Sequence, residues 1–314
     1  MRPDQSRDED VILKPTVLIL GAGASNPYGY PLGAQLVDSI VGLTGRGGGL
    51  LEVLSGEANV DQFHSRLRGS DVESIDDFLE SNPAFAAVGK LCIAAGLTVW
   101  GPGFNHTTNS STHWYRYLWG RLHEGASTTE QFRLNRLRIV TYNYDRSLER
   151  YLAGVLANAF PDLAERDAAA AATFLGEVLP IVHLHGSLGD SDDIARATED
   201  RRPLIALDFF RRAATGIRIV HEDQPSEEYA LTHRWLGEAQ AVYLLGFGYH
   251  PTNVRRLDLL TQARNSPGWK WCGGTAFGLG DAERLRAEAS LGRGAGILRQ
   301  VDCLSYLREY AVLE

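Results

Sequence analysis

Four short stretches of this 314-residue chain hold residue types that could do chemistry. The first is Gly21-Ala22-Gly23-Ala24-Ser25, between an apolar run and a helical pattern. Glycines in that position let the backbone turn sharply and approach a pyrophosphate, whose charge is favoured by a helix N-terminus. Asn26 stands where a dinucleotide fingerprint has its third glycine, so a plain strand-to-helix turn is the alternative. The second is Thr141-Tyr-Asn143-Tyr-Asp145, in which Asn143 and Asp145 are spaced to face one crevice. Asp145 serves equally well as a cap for the helix that follows. The third is His183-Leu-His185-Gly-Ser187. Two alternate histidines share a face, but no acidic or cysteine partner completes a ligand set by spacing, and no metal is expected. One histidine at the mouth of a parallel sheet suits a general base, because its ordinary pKa of about 6.5 leaves it largely neutral near pH 7. For His183 packing in the core is expected. The fourth stretch, Gly246-Phe-Gly248, ends another apolar run; close approach to a ligand or a tight turn would each explain its glycines.

The elements that must position these stretches follow from the hydrophobic pattern. Continuous apolar runs at 16–20, 137–142, 181–185 and 241–245, with a fifth at 269–277, read as strands buried on both faces. Helical patterns separate them, including Leu148, Tyr151, Leu152, Val155 and Leu156 on one face and a helix near 229–239. This alternation predicts an α/β fold, a Rossmann-like open and mostly parallel sheet with helices on both faces. Such sheets bind ligands at the carboxyl ends of their strands, where all four stretches lie. Residues 1–10 read as a flexible tail before a domain over 11–314. That domain carries a mostly helical insertion at about 45–132, broken by glycines at 45–49 and by the polar loop 105–112. Within the insertion, Ser74-Ile-Asp-Asp-Phe-Leu79 reads as an amphipathic helix with an acidic outer face, and 189–202 as an acidic irregular stretch.

Composition narrows the function classes. A net charge of -8 without a concentrated basic run argues against direct nucleic-acid binding. The three cysteines are far apart and odd in number, which fits a reducing cytoplasm better than a disulfide framework. No run approaches membrane-spanning length, and the polar start lacks an export pattern, so a cytoplasmic protein is expected.

Together the four stretches resemble the sirtuin family. Gly21 to Ser25 with Gly29 and Pro31 is similar to its phosphate-binding opening, Thr141-Tyr-Asn143-Tyr-Asp145 to its T-Q-N-x-D segment, and His185-Gly186 to its catalytic H-G. Gly246-Phe-Gly248 is similar to its later glycine turn, without the usual Gly-Thr-Ser. The family's protein deacylases carry two Cys-x-x-Cys pairs for zinc after the histidine, and this chain has no cysteine between Cys92 and Cys272. Pro31 is followed by Leu-Gly-Ala in place of the family's D-F-R. What remains resembles the sirtuin-like NAD hydrolases of bacterial immune systems, to which Ser74–Leu79 is also similar. The resemblance implies NAD as substrate, cleaved to nicotinamide and ADP-ribose. Asn143 would hold the nicotinamide ribose or the attacking water, His185 would act as base, and the glycine turn would hold the pyrophosphate. Thr141, Asp145, Gly246 and Gly248 would line the same site. By the same resemblance the chain would assemble with copies of itself and answer to a separate ATPase or sensor protein. Protein deacylation, ADP-ribosyl transfer, or sensing of NAD or ADP-ribose without turnover are the alternatives. If Asn143 faces the ligand, its replacement by alanine should cost turnover and leave melting nearly unchanged.

Overall fold

The computed structural model describes residues 11–45, 53–54, 57, 59–100, 112–164, 168–189, 203–219, 226–265, 271–291 and 297–314. The expected tail at 1–10, most of the glycine break at 45–49, the polar loop up to residue 111 and the acidic stretch beyond Gly189 lie outside them.

Six parallel strands form one open sheet in the order β3-β2-β1-β4-β5-β6. They are β1 (Thr16–Leu20), β2 (Leu137–Thr141), β3 (Ile181–His183), β4 (Ala241–Leu245), β5 (Trp271–Thr275) and β6 (Leu298–Arg299). The sheet is therefore wholly parallel, and the α/β Rossmann-like expectation holds. β6, of two residues, is an addition that no sequence pattern signalled.

Side chains alternate across the sheet, and both faces are buried. Leu18, Leu20, Ile139, Tyr243 and Leu245 enter one core, while Val17, Ile19, Val140, Val242 and Leu244 enter the other. This is why the central strands read as unbroken apolar runs, with all five residues of β1 and of β4 buried. The described residues between β1 and β2 are helical and contain no strand. Helix Ala86–Trp100 is apolar nearly all round and packs inside this part of the core, as such helices must. Helix Ser147–Ala159 follows the predicted face, burying Leu148, Tyr151, Leu152 and Leu156. Among the described residues no helix is long and apolar enough to cross a membrane.

The strand order places the site. From β1 the chain moves outward to β2 and β3, then returns to the other side of β1 for β4, β5 and β6. The order thus reverses beside β1, and residues that follow β1, β2, β3 and β4 come together at the carboxyl edge, where open sheets of this kind bind ligands. The ends are flush, with Leu20 opposite both Thr141 and Leu245.

Candidate active site

The turn after β1 packs directly on the turn after β4. Gly21 N donates to Leu245 O at 3.1 Å and Gly23 N to Gly246 O at 3.0 Å. A Cβ on Gly21 would fall 2.6 Å from Gly246 O, and one on Gly246 would fall 2.0 Å from Ala24 N. Gly246 also has a positive φ of 57°, a conformation that side chains disfavour. Of the two readings open for these glycines, the tight turn is the one their surroundings require: the protein's own backbone fills the space beside Gly21 and Gly246. Three amides of the turn, those of Gly21, Gly23 and Ala24, are already engaged within the protein. Helix Ala22–Ser25 is a single turn. Trp114, from the helical region between β1 and β2, braces it by donating Nε1–H to Ala24 O at 2.8 Å.

Asn143 follows β2 and is buried. Its Nδ2 donates to Gly21 O at 3.0 Å and to Ser25 Oγ at 2.9 Å, so the amide ties β2 to the first turn. The picture of an amide directed wholly at a ligand is corrected accordingly, although Asn143 still lines the cavity described below. Asp145 is tied to the start of the following helix and also borders the cavity. Its Oδ1 accepts from Ser147 N at 3.0 Å and from the Ser147 hydroxyl, at the first residue of helix Ser147–Ala159. Burial raises its pKa, against hydrogen bonds from Ser147 and Ser25 that lower it.

The two histidines separate clearly. His183 Nδ1 lies 2.8 Å from Asn143 O and Nε2 lies 2.7 Å from Glu149 Oε1. Both neighbours are acceptors, so both ring nitrogens donate and the imidazolium is favoured. Burial lowers the His183 pKa, but the Glu149 hydrogen bond and charge outweigh that and raise it. His183 is therefore structural, as expected, but acts through an ion pair and not through apolar packing. His185 lies beyond the end of β3, held by Leu184 N donating to Thr141 O at 2.9 Å and Arg218 N donating to His185 O at 2.8 Å. Its Nδ1 is 3.3 Å from Asp76 Oδ1, while its Nε2 is buried with no hydrogen-bond partner. The Tyr142 ring packs edge-on against it at 5.3 Å.

A cavity of about 300 Å³ joins these groups, a size typical of small-molecule sites. Of the expected residues, Gly21, Ala22, Ser25, Pro31, Asn143, Asp145, His185 and Gly248 line it. Gly23, Ala24, Gly29, Thr141 and Gly246 stand behind that wall; Gly29 ends the turn Asn26–Tyr28 with a φ of 89°, and Thr141 Oγ1 accepts from Asn143 N at 3.0 Å. A second cavity of about 540 Å³, walled by Pro251, Arg255 and Arg286, shares Gly248 with the first. Nothing lies within 4 Å of where a Gly248 Cβ would stand, so this glycine borders open space.

Sequence reasoning missed one wall. Helix Ile75–Ser81 contributes Ile75 and Asp76 to the cavity, and its acidic residues pair with basic side chains of the protein. Asp76 meets His185, Asp77 Oδ2 lies 3.0 Å from His250 Nε2, and Glu80 Oε1 lies 2.8 Å from Arg256. The reading of an acidic face turned to solvent is overturned. No group of three or more histidine, cysteine or acidic side chains is placed to hold a metal among the described residues. The chain matches no known protein-family model, and no curated protein sequence is similar to it.

Proposed function

We propose that the chain is an NAD glycohydrolase, transferring the ADP-ribosyl group of NAD from nicotinamide to water. One observation carries the reading: His185, with a buried and unpartnered Nε2, and Asn143 share one cavity at the crevice where the strand order reverses. The resemblance of the four stretches to sirtuin-like NAD hydrolases supplies the substrate. The residues suit it, since Gly248 leaves room along the wall and Phe247 and Tyr142 give the cavity an apolar side.

Nicotinamide is a cationic pyridinium while bonded to ribose and leaves as a neutral molecule, so its departure needs no general acid. The protein's work is orientation and control of one proton. His185 Nε2 takes a proton from the attacking water or from a ribose hydroxyl. Asn143, its Nδ2 held by Gly21 O and Ser25 Oγ, lines the same cavity and orients that ribose or water. The assignment to an NAD-depleting effector of bacterial antiphage defence, assembled with its own copies and controlled by a separate ATPase or sensor, belongs to the same proposal and rests on resemblance alone.

The test is nicotinamide release from NAD by the purified chain, without peptide, with and without chelator. Release should match ADP-ribose formation and survive chelation, and His185→Ala should lower it at least about a hundredfold in a folded protein, as loss of a general base does. Release that requires a protein acceptor would make the chain a transferase or deacylase. NAD binding without release would make it a sensor. Either result, or full turnover in His185→Ala, overturns the proposal.

A further inference from the structure

Asp76 belongs to helix Ile75–Ser81, more than a hundred positions from His185 in sequence, yet its carboxylate meets the His185 ring. Its place is firmly held. Ser74 caps the helix, its Oγ accepting from Asp77 N at 3.4 Å, and the Asp77–His250 and Glu80–Arg256 pairs fasten the same helix to the carboxyl edge of the sheet. Asp76 Oδ1 also accepts a hydrogen bond from the Tyr144 hydroxyl.

An ionised carboxyl group has acceptors only. Burial by itself would raise the Asp76 pKa, but the charge and hydrogen bond of a protonated His185, the Tyr144 hydroxyl and the Arg256 charge reverse this; beside a neutral His185, the hydrogen bonds from the ring and from Tyr144 and the Arg256 charge still favour the carboxylate. Burial and the Asp76 charge push the Tyr144 pKa well up, so the phenol stays a donor. Facing an acceptor, His185 Nδ1 must carry a hydrogen. In a neutral imidazole the other nitrogen is then an acceptor. That nitrogen is the buried Nε2 without a partner, in a residue that lines the cavity. A buried polar atom left unpaired costs free energy, which a ligand hydroxyl or water at this place recovers.

We propose that Asp76 is the positioning residue of the site: its carboxylate fixes His185 as the Nδ1–H tautomer and turns the Nε2 lone pair to the cavity. The tautomer follows from the contact of Nδ1 with Asp76, while the step in which Nε2 takes a proton rests on the NAD-cleaving reading.

The test uses the full chain with ¹⁵N-labelled histidine, the His185 signals being assigned by their loss in His185→Ala and those of His183 by their loss in His183→Gln. Long-range ¹H–¹⁵N spectra show which nitrogen carries the hydrogen. Neutral His185 should be the Nδ1–H tautomer in the wild type. Asp76→Asn, which offers an amide hydrogen to Nδ1, should populate the Nε2–H form and lower kcat for nicotinamide release at least about a hundredfold. Comparable replacements behind a catalytic histidine cost up to about 10⁴ in kcat. KM for NAD should change by less than about threefold, because an orienting group acts in the transition state and not in uniform binding. An Nε2–H tautomer in the wild type overturns the assignment. So does a folded Asp76→Asn protein that keeps its tautomer and kcat, or one whose KM rises at unchanged kcat, since Asp76 would then contact the ligand. If the wild type releases no nicotinamide, the NAD reading fails, and the tautomer in wild type and Asp76→Asn still upholds or refutes Asp76. Should Asp76→Asn not fold, the wild-type spectrum together with Tyr144→Phe, which should leave the Nδ1–H form in place, decides it.

Discussion

Replacing Asn143 with alanine should weaken the fold as well as turnover, and the structure sets the size of the first effect. The side chain is buried and gives two hydrogen bonds, to Gly21 O and to Ser25 Oγ. A buried hydrogen bond contributes about 1 kcal/mol net, so two contribute about 2 kcal/mol. The penalty for a stranded acceptor at Gly21 is small, because Gly21 O keeps the Ala24 amide at 2.9 Å. At this chain length 1 kcal/mol moves Tm by roughly 2 °C, which puts the loss near roughly 4 °C. Asn143→Asp should cost more, since a carboxylate oxygen would replace the NH₂ group that faces Gly21 O. Urea unfolding and nicotinamide release, measured on one preparation, separate the two consequences. Turnover per folded molecule should fall at least about a hundredfold in Asn143→Ala, as loss of a positioning group from the reacting centre does. A Tm within about 1 °C of wild type would refute the tie between β2 and the first turn. Full turnover per folded molecule would refute the place of Asn143 in the reaction.

The ion pair between His183 and Glu149 should make stability depend on pH. The folded His183 pKa lies above its unfolded value of about 6.5, so its contribution is complete below that pH and is lost as pH rises through the folded value. Glu149 is held below its ordinary pKa: burial alone would raise it, but the His183 hydrogen bond and charge prevail. Its contribution is present above about pH 4.3 and is lost as pH falls through the folded value. The stability gap between wild type and His183→Gln in urea unfolding should therefore be widest between about pH 4.3 and 6.5 and shrink at higher pH; a gap constant from pH 6 to 9 contradicts the ion pair. The two glycines after β4 should behave oppositely. Gly246→Ala, with its positive φ and a Cβ 2.0 Å from Ala24 N, should destabilise by about 2–5 kcal/mol in denaturant titration. Gly248→Ala meets nothing within 4 Å, so it should stay within about 0.5 kcal/mol of wild type while raising KM for NAD severalfold; unchanged KM would remove Gly248 from the ligand wall.

The central sheet was legible because burial on both faces leaves a pattern that solvent exposure would have broken. Val17 and Leu18 enter different cores, yet both had to be apolar, and the run at 16–20 shows it. β6 was illegible for the opposite reason: two residues cannot establish a period, and Arg299 is exposed. Ends were less clear than middles. The predicted third strand ran to His185, whereas pairing stops at His183; beyond it Leu184 enters the core and His185 lines the cavity. The glycines show a different limit. A sequence reveals that a position tolerates no side chain, but not whether a ligand or the neighbouring backbone occupies the space. At Gly21 and Gly246 it is the backbone, and at Gly248 the space is open.

Helix Ile75–Ser81 shows why one wall of the site could not be read from the sequence. Its apolar residues Ile75, Phe78 and Leu79 are buried as periodicity requires, but periodicity identifies only the apolar side. The polar side goes to water by default unless polar partners arrive from elsewhere, and here His185, His250 and Arg256 arrive from segments over a hundred positions away. The three pairs are not equal. At Asp77–His250 the side chains are 34% and 46% exposed, so water and salt screen the attraction. At Glu80–Arg256 they are 24% and 12% exposed, and at Asp76–His185 27% and 6%. Ranked by the exposure of the partner, the pairs thus run from a screened rim contact at His250, through Arg256, to the buried ring of His185. A carboxylate beside a buried ring can do what a rim charge cannot, because water and salt screen its hold on that ring far less.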